Sequence, residues 1–162
     1  WDGKVFGDLL VRGPWITSSY FKGEGGDPLR DGWFPTGDVA TIDPDGYMQI
    51  TDRSKDVIKT GGEWISTIDL ENIAVGHPAV AEAAVIGVLS EKWNERPMAC
   101  VVLKPEFVGK VEEKEILHFL ATRVAKWWIP DEVMFVDTIP KTSVGKFAKR
   151  FLRDRFKEKR FA

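Results

Sequence analysis

The stretch "DRSKDVIKTGGEWIS", residues 52–66, decides how the chain is organised. It combines charged residues of both signs with a Gly-Gly pair and a Trp. A solvated loop has no need of the Trp, and a buried strand disfavours the Lys residues. This mixture is typical of a moving joint that lies beside a charged ligand, and we expect such a joint here.

The character of the sequence changes at this joint. Residues 1–52 hold short apolar runs separated by Gly, Pro and Asp, and "VATIDPDGYMQIT" predicts two strands joined by a turn at "DPDG". From residue 53 onward, the pattern predicts a compact α+β domain of order β-α-β-β-α-β-α. The predicted fold class is therefore α+β: a short all-β segment followed by a small mixed sheet flanked by helices.

Two helices of the second part have clear signals. The first is predicted to begin with Ser66 as its N-cap, with Asp69 three residues on, and to end before His77. The second, within "EEKEILHFLATRVAKWW", has apolar residues at helical spacing. These residues are Ile116, Leu120, Val124 and Trp127.

A third, basic helix is predicted near the end of the chain. The net charge of the chain is −2, but residues 146–160 carry +6 and the remainder −8. This asymmetry favours a polyanionic partner or, alternatively, a solvated helix face. Phe147, Phe151 and Phe156 lie near one face of this helix, and we expect them to pack against the core.

Composition excludes several classes of function. The chain has 162 residues, 43% apolar and 30% charged, as expected for a soluble globular protein of one domain or one domain and part of another. Cys100, the one cysteine, lies in an apolar run and is interpreted as a buried strand residue in preference to a nucleophile. A single cysteine and no signal peptide or membrane span indicate a cytoplasmic protein. His77 and His118 lack paired ligands, so no metal site is predicted.

Four short features could carry chemistry. Asp38 is expected in a turn at the start of a strand, where a carboxylate could hold ribose hydroxyls, although Asp is common in turns. Arg53 is a permanent cation. Gly61 and Gly62 would let the backbone approach a ligand and offer N–H groups to an anion or a carbonyl, or would form an ordinary turn. Lys146, in a Gly-Lys loop before the basic helix, could be a mobile charge for a carboxylate or phosphate, or an ordinary surface lysine.

Taken in order, these features resemble the acyl- and aryl-CoA synthetases, the adenylate-forming enzymes that include luciferases and peptide-synthetase adenylation domains. The matching stretches are "GWFPTGDVATIDPDGYMQITDRSKDVIKTGGEWIS", "DLENIAVGHPAVAEAAVIGVLSEKWNERPMACVVLKP" and "PKTSVGKFAKR". Two local stretches, "TGGEWIS" and "AKWWIPDEV", look most similar to medium- and long-chain fatty acyl-CoA synthetases. The resemblance implies that ATP activates a carboxylic acid to acyl-AMP, that CoA then takes the acyl group, and that a C-terminal lid domain rotates between the two steps.

The resemblance also implies roles for residues around the nucleotide. Asp38 and Arg53 resemble the residues that bind the ribose. Lys55 resembles the hinge residue and would approach the nucleotide in one pose. Lys146 resembles the lysine that bridges the carboxylate and the α-phosphate during adenylation.

A second group resembles elements used in the thioester-forming pose. Lys59 and the loop Gly61, Gly62 and Glu63 match elements near the nucleotide or CoA, and Lys59 is predicted to be catalytic with Lys146. Trp64 matches a position where long-chain enzymes have a gating Trp at the acyl tunnel, and packing in a domain interface is its alternative.

Other family parts have no counterpart in the sequence. The phosphate loop, the fatty-acid pocket and the Glu that binds Mg²⁺ are absent. The full enzyme would therefore require Mg²⁺, but this sequence would supply no ligand for it.

We expect a C-terminal fragment: residues 1–52 end the large domain, 53–55 form the hinge and 53–162 form the lid. The chain alone is expected to be inactive, with its N-terminal domain, fatty acid, ATP and CoA as partners. Nucleic acid and a membrane span are not expected, and peripheral membrane contact and a homodimer stay open.

Two alternatives compete with this interpretation. One is an adenylation domain that loads an amino acid onto a carrier protein, which a downstream carrier motif would favour. The other is a basic nucleic-acid-binding module, which would need stacking aromatics interleaved with basic residues on one surface.

Overall fold

The computed structural model describes residues 1–161. The chain divides into two compact units, Trp1–Lys55 and Asp56–Ala162, and the division lies three residues beyond the predicted boundary.

The first unit contains a three-stranded antiparallel sheet. Its strands, in the order β1-β2-β3, are β1 (Gly7–Val11), β2 (Phe34–Ile42) and β3 (Met48–Arg53). The predicted turn joins β2 to β3: Gly46 has φ +86°, and the Asp43 carboxylate accepts hydrogen bonds from the backbone N–H groups of Asp45 and Tyr47. A short 3₁₀ helix, Phe21–Gly23, lies in the long connection between β1 and β2.

The second unit is a five-stranded mixed sheet with three α-helices. Its elements are β4 (Ile58–Thr60), β5 (Glu63–Ile65), α1 (Thr67–Val75), β6 (Val80–Ser90), β7 (Asn94–Leu103), α2 (Glu113–Ala121), β8 (Glu132–Phe135) and α3 (Lys149–Arg155). The strand order is β5-β4-β7-β6, and β8 pairs with β7 in parallel. Together with the first unit, this confirms the predicted α+β class.

The long antiparallel pair of β6 and β7, hereafter the β6–β7 ribbon, forms the centre of the second unit. Because side chains alternate between the two faces of a strand, the ribbon supplies two separate apolar clusters. On one face, Val85 and Ala99 pack with Leu70 of α1 and Leu120 of α2 and form what we call the first cluster. On the other face, Ile86, Cys100 and their neighbours pack with Leu152 of α3 and form the second cluster.

The beginning of α1 follows the sequence prediction. The Ser66 side chain accepts a hydrogen bond of 3.1 Å from the backbone N–H of Asp69, and the helix ends at Val75 before His77. A Ser at the N-cap satisfies one of the N–H groups that the first turn leaves without a partner in the helix.

Several details of the second unit differ from the predictions. The strand β5 was missed because it has only three residues and follows directly on the Gly-Gly turn. The helix α2 ends at Ala121, because the Thr122 hydroxyl and the Arg123 guanidinium both donate to the Phe119 carbonyl and close its last turn.

As a result, two residues expected on α2 lie beyond its end. Val124 still packs against the first cluster, but Trp127 belongs to a separate 3₁₀ turn, Lys126–Trp128, and is 53% exposed. Phe147 lies before the start of α3 and Phe156 lies just after its end, and both pack against the second cluster. Phe151 is exposed, which corrects the prediction that all three Phe residues pack.

No α-helix within residues 1–161 combines the length and the apolar character that crossing a bilayer requires.

The packing of α1 gives a direct test of the fold. Leu70 is fully buried in the first cluster, whereas Val75 on the same helix is 47% exposed. Leu70→Ala should lower the free energy of unfolding by about 2–5 kcal/mol because it leaves a cavity. Val75→Ala is the matched control, and it should change the free energy by about 0.5 kcal/mol or less. Urea denaturation followed by Trp fluorescence measures both, and equal losses would contradict the position of α1.

Candidate functional site

In the first unit, two candidate residues face each other across neighbouring strands. Asp38 of β2 and Arg53 of β3 are paired in register. The Arg53 Nη1 atom donates to the Asp38 Oδ1 atom over 2.6 Å, and the side chains are 52% and 20% exposed, respectively. The structure thus brings Asp38 and Arg53 together as a partly accessible pair of a carboxylate and a guanidinium, which can accept from and donate to hydroxyl groups.

The segment Thr36-Gly37-Asp38 is not the predicted turn at the start of a strand but a bulge inside β2. Asp8 pairs with Val39 and Leu10 pairs with Pro35, so three residues of β2 lie opposite one residue of β1. Such a bulge redirects the side chains around it.

Gly37 is required in this bulge. Its φ is +74°, and a Cβ atom there would lie 3.2 Å from Arg53 Nη2. The Gly37 carbonyl accepts a hydrogen bond of 2.9 Å from the Ser54 backbone N–H. Glycine at this position therefore leaves room for the Arg53 guanidinium beside Asp38.

Lys55 is the last residue of the first unit. It is exposed and lies in the turn at residues 54–56, between β3 and β4. A turn between two separately packed units is a suitable place for a joint, and the hinge role of Lys55 stays a prediction.

In the second unit, Gly61 and Gly62 form the tip of a two-residue hairpin between β4 and β5, and we call this pair the glycine tip. Gly61 and Gly62 have φ values of +55° and +92°, as a tight hairpin turn requires, and Thr60 pairs with Glu63. The Gly61 N–H donates to the Trp93 carbonyl over 2.9 Å, and a Cβ on Gly61 would lie 3.0 Å from the Trp93 ring. The Gly61 N–H is thus bonded to a backbone carbonyl, and the role of the Gly61–Gly62 loop beside a ligand stays a prediction.

Lys59 and Trp64 are paired across the same hairpin. The Lys59 Nζ atom lies 5.1 Å from the centroid of the Trp64 ring, which is within the range of a cation–π interaction. The Lys59 backbone N–H donates to the Glu95 carboxylate over 3.0 Å. The structure therefore brings together Lys59, the glycine tip, Glu63 and Trp64.

A groove of about 450 Å³ lies beside this hairpin, and we call it the tryptophan groove. Its lining residues are Thr60, Gly61, Glu63, Trp93, Arg96, Lys126, Trp127 and Asp131. Trp93 and Trp127 are 43% and 53% exposed. The two exposed indole rings offer stacking surfaces to a flat ligand, and Lys126 adds a cation to a rim that also carries Glu63 and Asp131.

Arg96 holds one wall of the tryptophan groove in place. Its guanidinium donates to the carbonyls of Trp127 and Ile129 over 2.7 and 3.0 Å, and to the Asp131 carboxylate over 2.7 and 3.0 Å. Sequence reasoning missed Arg96. Its partners lie 31 to 35 positions further along the chain, so no local pattern signals them.

Lys146 lies on a closed loop before α3, here called the lysine hairpin (residues 141–147). Lys141 and Phe147 form a β-bridge, the Thr142 N–H donates to the Lys146 carbonyl over 2.8 Å, and Gly145 has φ +80°. The Lys146 side chain is exposed. The hairpin thus presents a cation on a defined backbone.

The two groups of candidate residues in the second unit lie towards opposite ends of the β6–β7 ribbon. The glycine tip attaches where Thr60 pairs with Asn94, next to Ser90 at the end of β6. The lysine hairpin attaches near the other end, where Lys141 forms an ion pair with Glu82. At 3.3–3.4 Å per residue, Glu82 and Ser90 are about 27 Å apart along β6, so the lysine hairpin and the glycine tip are anchored at well-separated points of the ribbon.

A buried ion pair that sequence reasoning also missed lies beneath the lysine hairpin. The Lys149 Nζ atom is 2.7 Å from Glu71 Oε1, and the side chains are 9% and 12% exposed. Nothing local to either residue signals the pair, because Lys149 belongs to α3 and Glu71 to α1.

Two other candidates have structural explanations. Cys100 is fully buried in the second cluster, and burial raises the pKa of its thiol to about 11. His77 is buried, accepts a hydrogen bond from the Ala79 N–H and packs edge-on against Phe119. Within residues 1–161, no group of three or more His, Cys, Asp or Glu side chains is arranged to hold a metal ion.

The fold and the placement of these residues define a class of protein. The chain belongs to the adenylate-forming, acyl-CoA synthetase family, and its residues 69–146 match the AMP-binding enzyme C-terminal domain. This confirms the resemblance that the sequence motifs indicated.

Three relatives illustrate the similarity. The chain is 57% identical over 97% of its length to the 3-methylmercaptopropionyl-CoA ligase of Ruegeria lacuscaerulensis, and 48% identical over 96% to the medium-chain-fatty-acid–CoA ligase of Ectopseudomonas oleovorans. It covers 29% and 28% of these two proteins, respectively. The structure of ATP-bound MatB from Rhodopseudomonas palustris superposes with a TM-score of 0.85 at 33% identity, over 98% of this chain and 32% of that one.

The environment of Cys100 predicts how it reacts. With a pKa of about 11, the thiol stays protonated between pH 7 and 9, and the thiolate is the reactive form. Native protein should therefore react very slowly with Ellman's reagent in this pH range. Protein unfolded in guanidinium chloride is the control and should react at once. Rapid reaction of the native protein would contradict the buried position of Cys100.

Proposed function

We propose that the protein carrying this chain is an AMP-forming acyl-CoA synthetase. In the first half-reaction, a carboxylate oxygen attacks the α-phosphorus of ATP and pyrophosphate leaves. In the second, the CoA sulfur attacks the acyl carbon, AMP leaves and the thiol proton is released. The observation that carries this proposal is the placement of two chemically different faces, the lysine hairpin and the glycine tip with its groove, towards opposite ends of one ribbon.

The first half-reaction brings two anions together, so it requires positive charge. We assign this charge to Lys146, whose exposed ammonium group could lie between the carboxylate and the α-phosphate and offset their repulsion. Asp38 would accept hydrogen bonds from the ribose hydroxyls, and Arg53 would hold that carboxylate and donate to the same sugar. The Mg²⁺ that the full enzyme would require finds no cluster of His, Cys, Asp or Glu side chains suited to hold it within residues 1–161.

The second half-reaction requires a site for CoA, which carries an adenine ring and phosphates. The tryptophan groove supports this role because Trp93 and Trp127 offer stacking surfaces, while Lys126 supplies charge. The glycine tip borders the groove and leaves space for the pantetheine arm. Lys59 and Glu63 would contact the nucleotide or CoA in this pose, and Trp64 would gate the acyl group.

Since the two faces are anchored at separate points of the ribbon, we expect one active site to use both only if the second unit reorients. We place this rotation at the turn that contains Lys55, with the first unit on the large-domain side and the second unit as the lid. Each predicted site residue thus has a proposed role in one of the two half-reactions or in the hinge.

The acid substrate is proposed to be an aliphatic carboxylic acid. The two relatives named above act, by their names, on 3-methylmercaptopropionate and on medium-chain fatty acids. Both names describe carboxylic acids with an aliphatic chain, so the assay panel should contain 3-methylmercaptopropionate and fatty acids from four to sixteen carbons.

The proposed role of Lys146 predicts that the two half-reactions separate. In the longest natural protein that contains this chain, Lys146→Met should lower the rate of acid-dependent ATP–pyrophosphate exchange by about 10²-fold or more, because a charge at the reacting centre is lost. Thioester formation from supplied acyl-adenylate and CoA should stay close to that of the wild type. The matched control is Lys110→Met, which removes an exposed lysine elsewhere in the second unit.

Two results would contradict this proposal. If the wild-type protein shows no exchange with any acid of the panel, the synthetase assignment is wrong. If Lys146→Met lowers both half-reactions equally, the separate role of the lysine hairpin is wrong.

The tryptophan groove gives an independent prediction. Trp127→Ala should raise the KM for CoA about tenfold, because stacking on one aromatic ring contributes about 1–3 kcal/mol per base. The KM values for ATP and acid should not change. Trp15→Ala is the control, because Trp15 is 94% exposed and belongs to the first unit. An unchanged KM for CoA in Trp127→Ala would exclude the groove as the CoA site.

A further inference from the structure

We propose that Lys149 is a positioning residue for Lys146. Its buried ion pair with Glu71 fixes the start of α3, and with it the lysine hairpin that presents the Lys146 ammonium group. The catalytic half of this inference rests on the proposed function, because it uses the role of Lys146 in adenylation. The structural half concerns only the second unit.

The surroundings of Lys149 fix its side chain at several points. Its Nζ atom lies 2.7 Å from Glu71 Oε1 and donates to Thr67 Oγ1 over 2.6 Å. The same Glu71 oxygen accepts a hydrogen bond of 2.7 Å from the Val85 backbone N–H on β6. One ammonium group therefore ties α3 to α1 directly and, through Glu71, to the β6–β7 ribbon.

Stability alone is a poor explanation for this arrangement. A buried ion pair loses much of its Coulomb energy to desolvation, and apolar residues of similar volume often stabilise a protein equally well. A charged pair with several directed hydrogen bonds, in contrast, defines one geometry. The helix that begins at Lys149 has only seven residues, so its own backbone hydrogen bonds hold its first turn weakly.

Lys149 lies three residues after Lys146, and the intervening residues are held to their surroundings. The Ala148 N–H donates to the Pro140 carbonyl over 2.8 Å, and Phe147 packs against the second cluster. Within the hairpin, the Lys146 N–H donates to the Thr142 hydroxyl over 3.2 Å. A displacement of Lys149 would thus be passed to the backbone of Lys146 over a short, well-packed path.

The other ionic anchor of the lysine hairpin is more exposed. Lys141 pairs with Glu82, but these side chains are 43% and 32% exposed, so water and salt screen the pair. The Lys149 pair is shielded from solvent and should act as the rigid support. Glu71 also neutralises Lys149, so that this second cation does not compete with Lys146 for an anionic substrate.

The structural half is tested on the chain itself by hydrogen exchange. Lys149→Met should increase the exchange of the Thr142, Lys146 and Ala148 amides, while the amides of the β6–β7 ribbon keep their protection. The matched control is Lys159→Met, which removes a partly buried ion pair with Glu132 beyond the end of α3 and should leave the hairpin unchanged. Unchanged exchange in the hairpin of Lys149→Met would overturn the proposal.

Global destabilisation is handled with a milder variant. If Lys149→Met loses protection throughout the second unit, Glu71→Gln replaces it, because the amide oxygen can still accept from the Val85 N–H. The same two outcomes then decide: increased exchange confined to the hairpin supports the proposal, and unchanged exchange there overturns it.

The catalytic half is tested in the longest natural protein that contains this chain. Lys149→Met should lower kcat for ATP–pyrophosphate exchange by about 10- to 100-fold, because a small displacement of a reacting group is costly. The KM for ATP and the rate of thioester formation from acyl-adenylate should stay near wild type. Lys149→Arg keeps the positive charge and hydrogen-bond donors toward Glu71, so its activity should lie above that of Lys149→Met.

The outcomes separate this inference from the proposed function. Equal loss of both half-reactions in Lys149→Met would show a merely structural role and overturn the positioning role. An inactive wild-type protein would instead refute the proposed function, and the exchange of the hairpin amides would still decide whether Lys149 fixes the lysine hairpin.

Discussion

The antiparallel ladder between β6 and β7 is the constraint on which the second unit depends. It runs from the Val80–Leu103 pair to the Ser90–Asn94 pair. Its alternating side chains build two apolar clusters, one against α1 and α2 and the other against α3. The ribbon is long and is held by backbone hydrogen bonds along its length. It therefore keeps the anchor of the glycine tip at a fixed distance from the anchor of the lysine hairpin.

Both candidate faces use this property. The glycine tip and the tryptophan groove lie at the Asn94 end, and the lysine hairpin lies near the Glu82 end. A rigid body with two such faces can present only one of them to a given point at a time. If the family chemistry applies, the order of the two half-reactions then follows from which face is turned towards the nucleotide. The unit needs no internal rearrangement, because each face is already supported by its own network: Arg96 for the groove, and Lys149 with Glu71 for the hairpin.

Local signals account for what could be predicted from the sequence. The Ser66 cap and the turn at Pro44–Gly46 depend on residues within a few positions of each other, and both are confirmed. The end of α2 and the bulge at Gly37 were not predicted, since they depend on side-chain hydrogen bonds and on the pairing with β1. The supporting networks were hidden for the same reason: Arg96 binds a carboxylate 35 positions away, and Lys149 a hydroxyl 82 positions away. Periodicity cannot show such partners, and only the folded ribbon brings them together.

The central claim is that the second unit turns as a rigid body about the segment at Lys55. The most direct measurement is the distance between spin labels on the two units, by double electron–electron resonance, in the longest natural protein that contains this chain. Tyr47→Cys and Lys157→Cys give exposed labelling sites, and buried Cys100 should stay unlabelled. Two distinct distance distributions, one with a non-reactive acyl-adenylate analogue and another when CoA is added, are the predicted result. One unchanged distribution in both states would contradict the account.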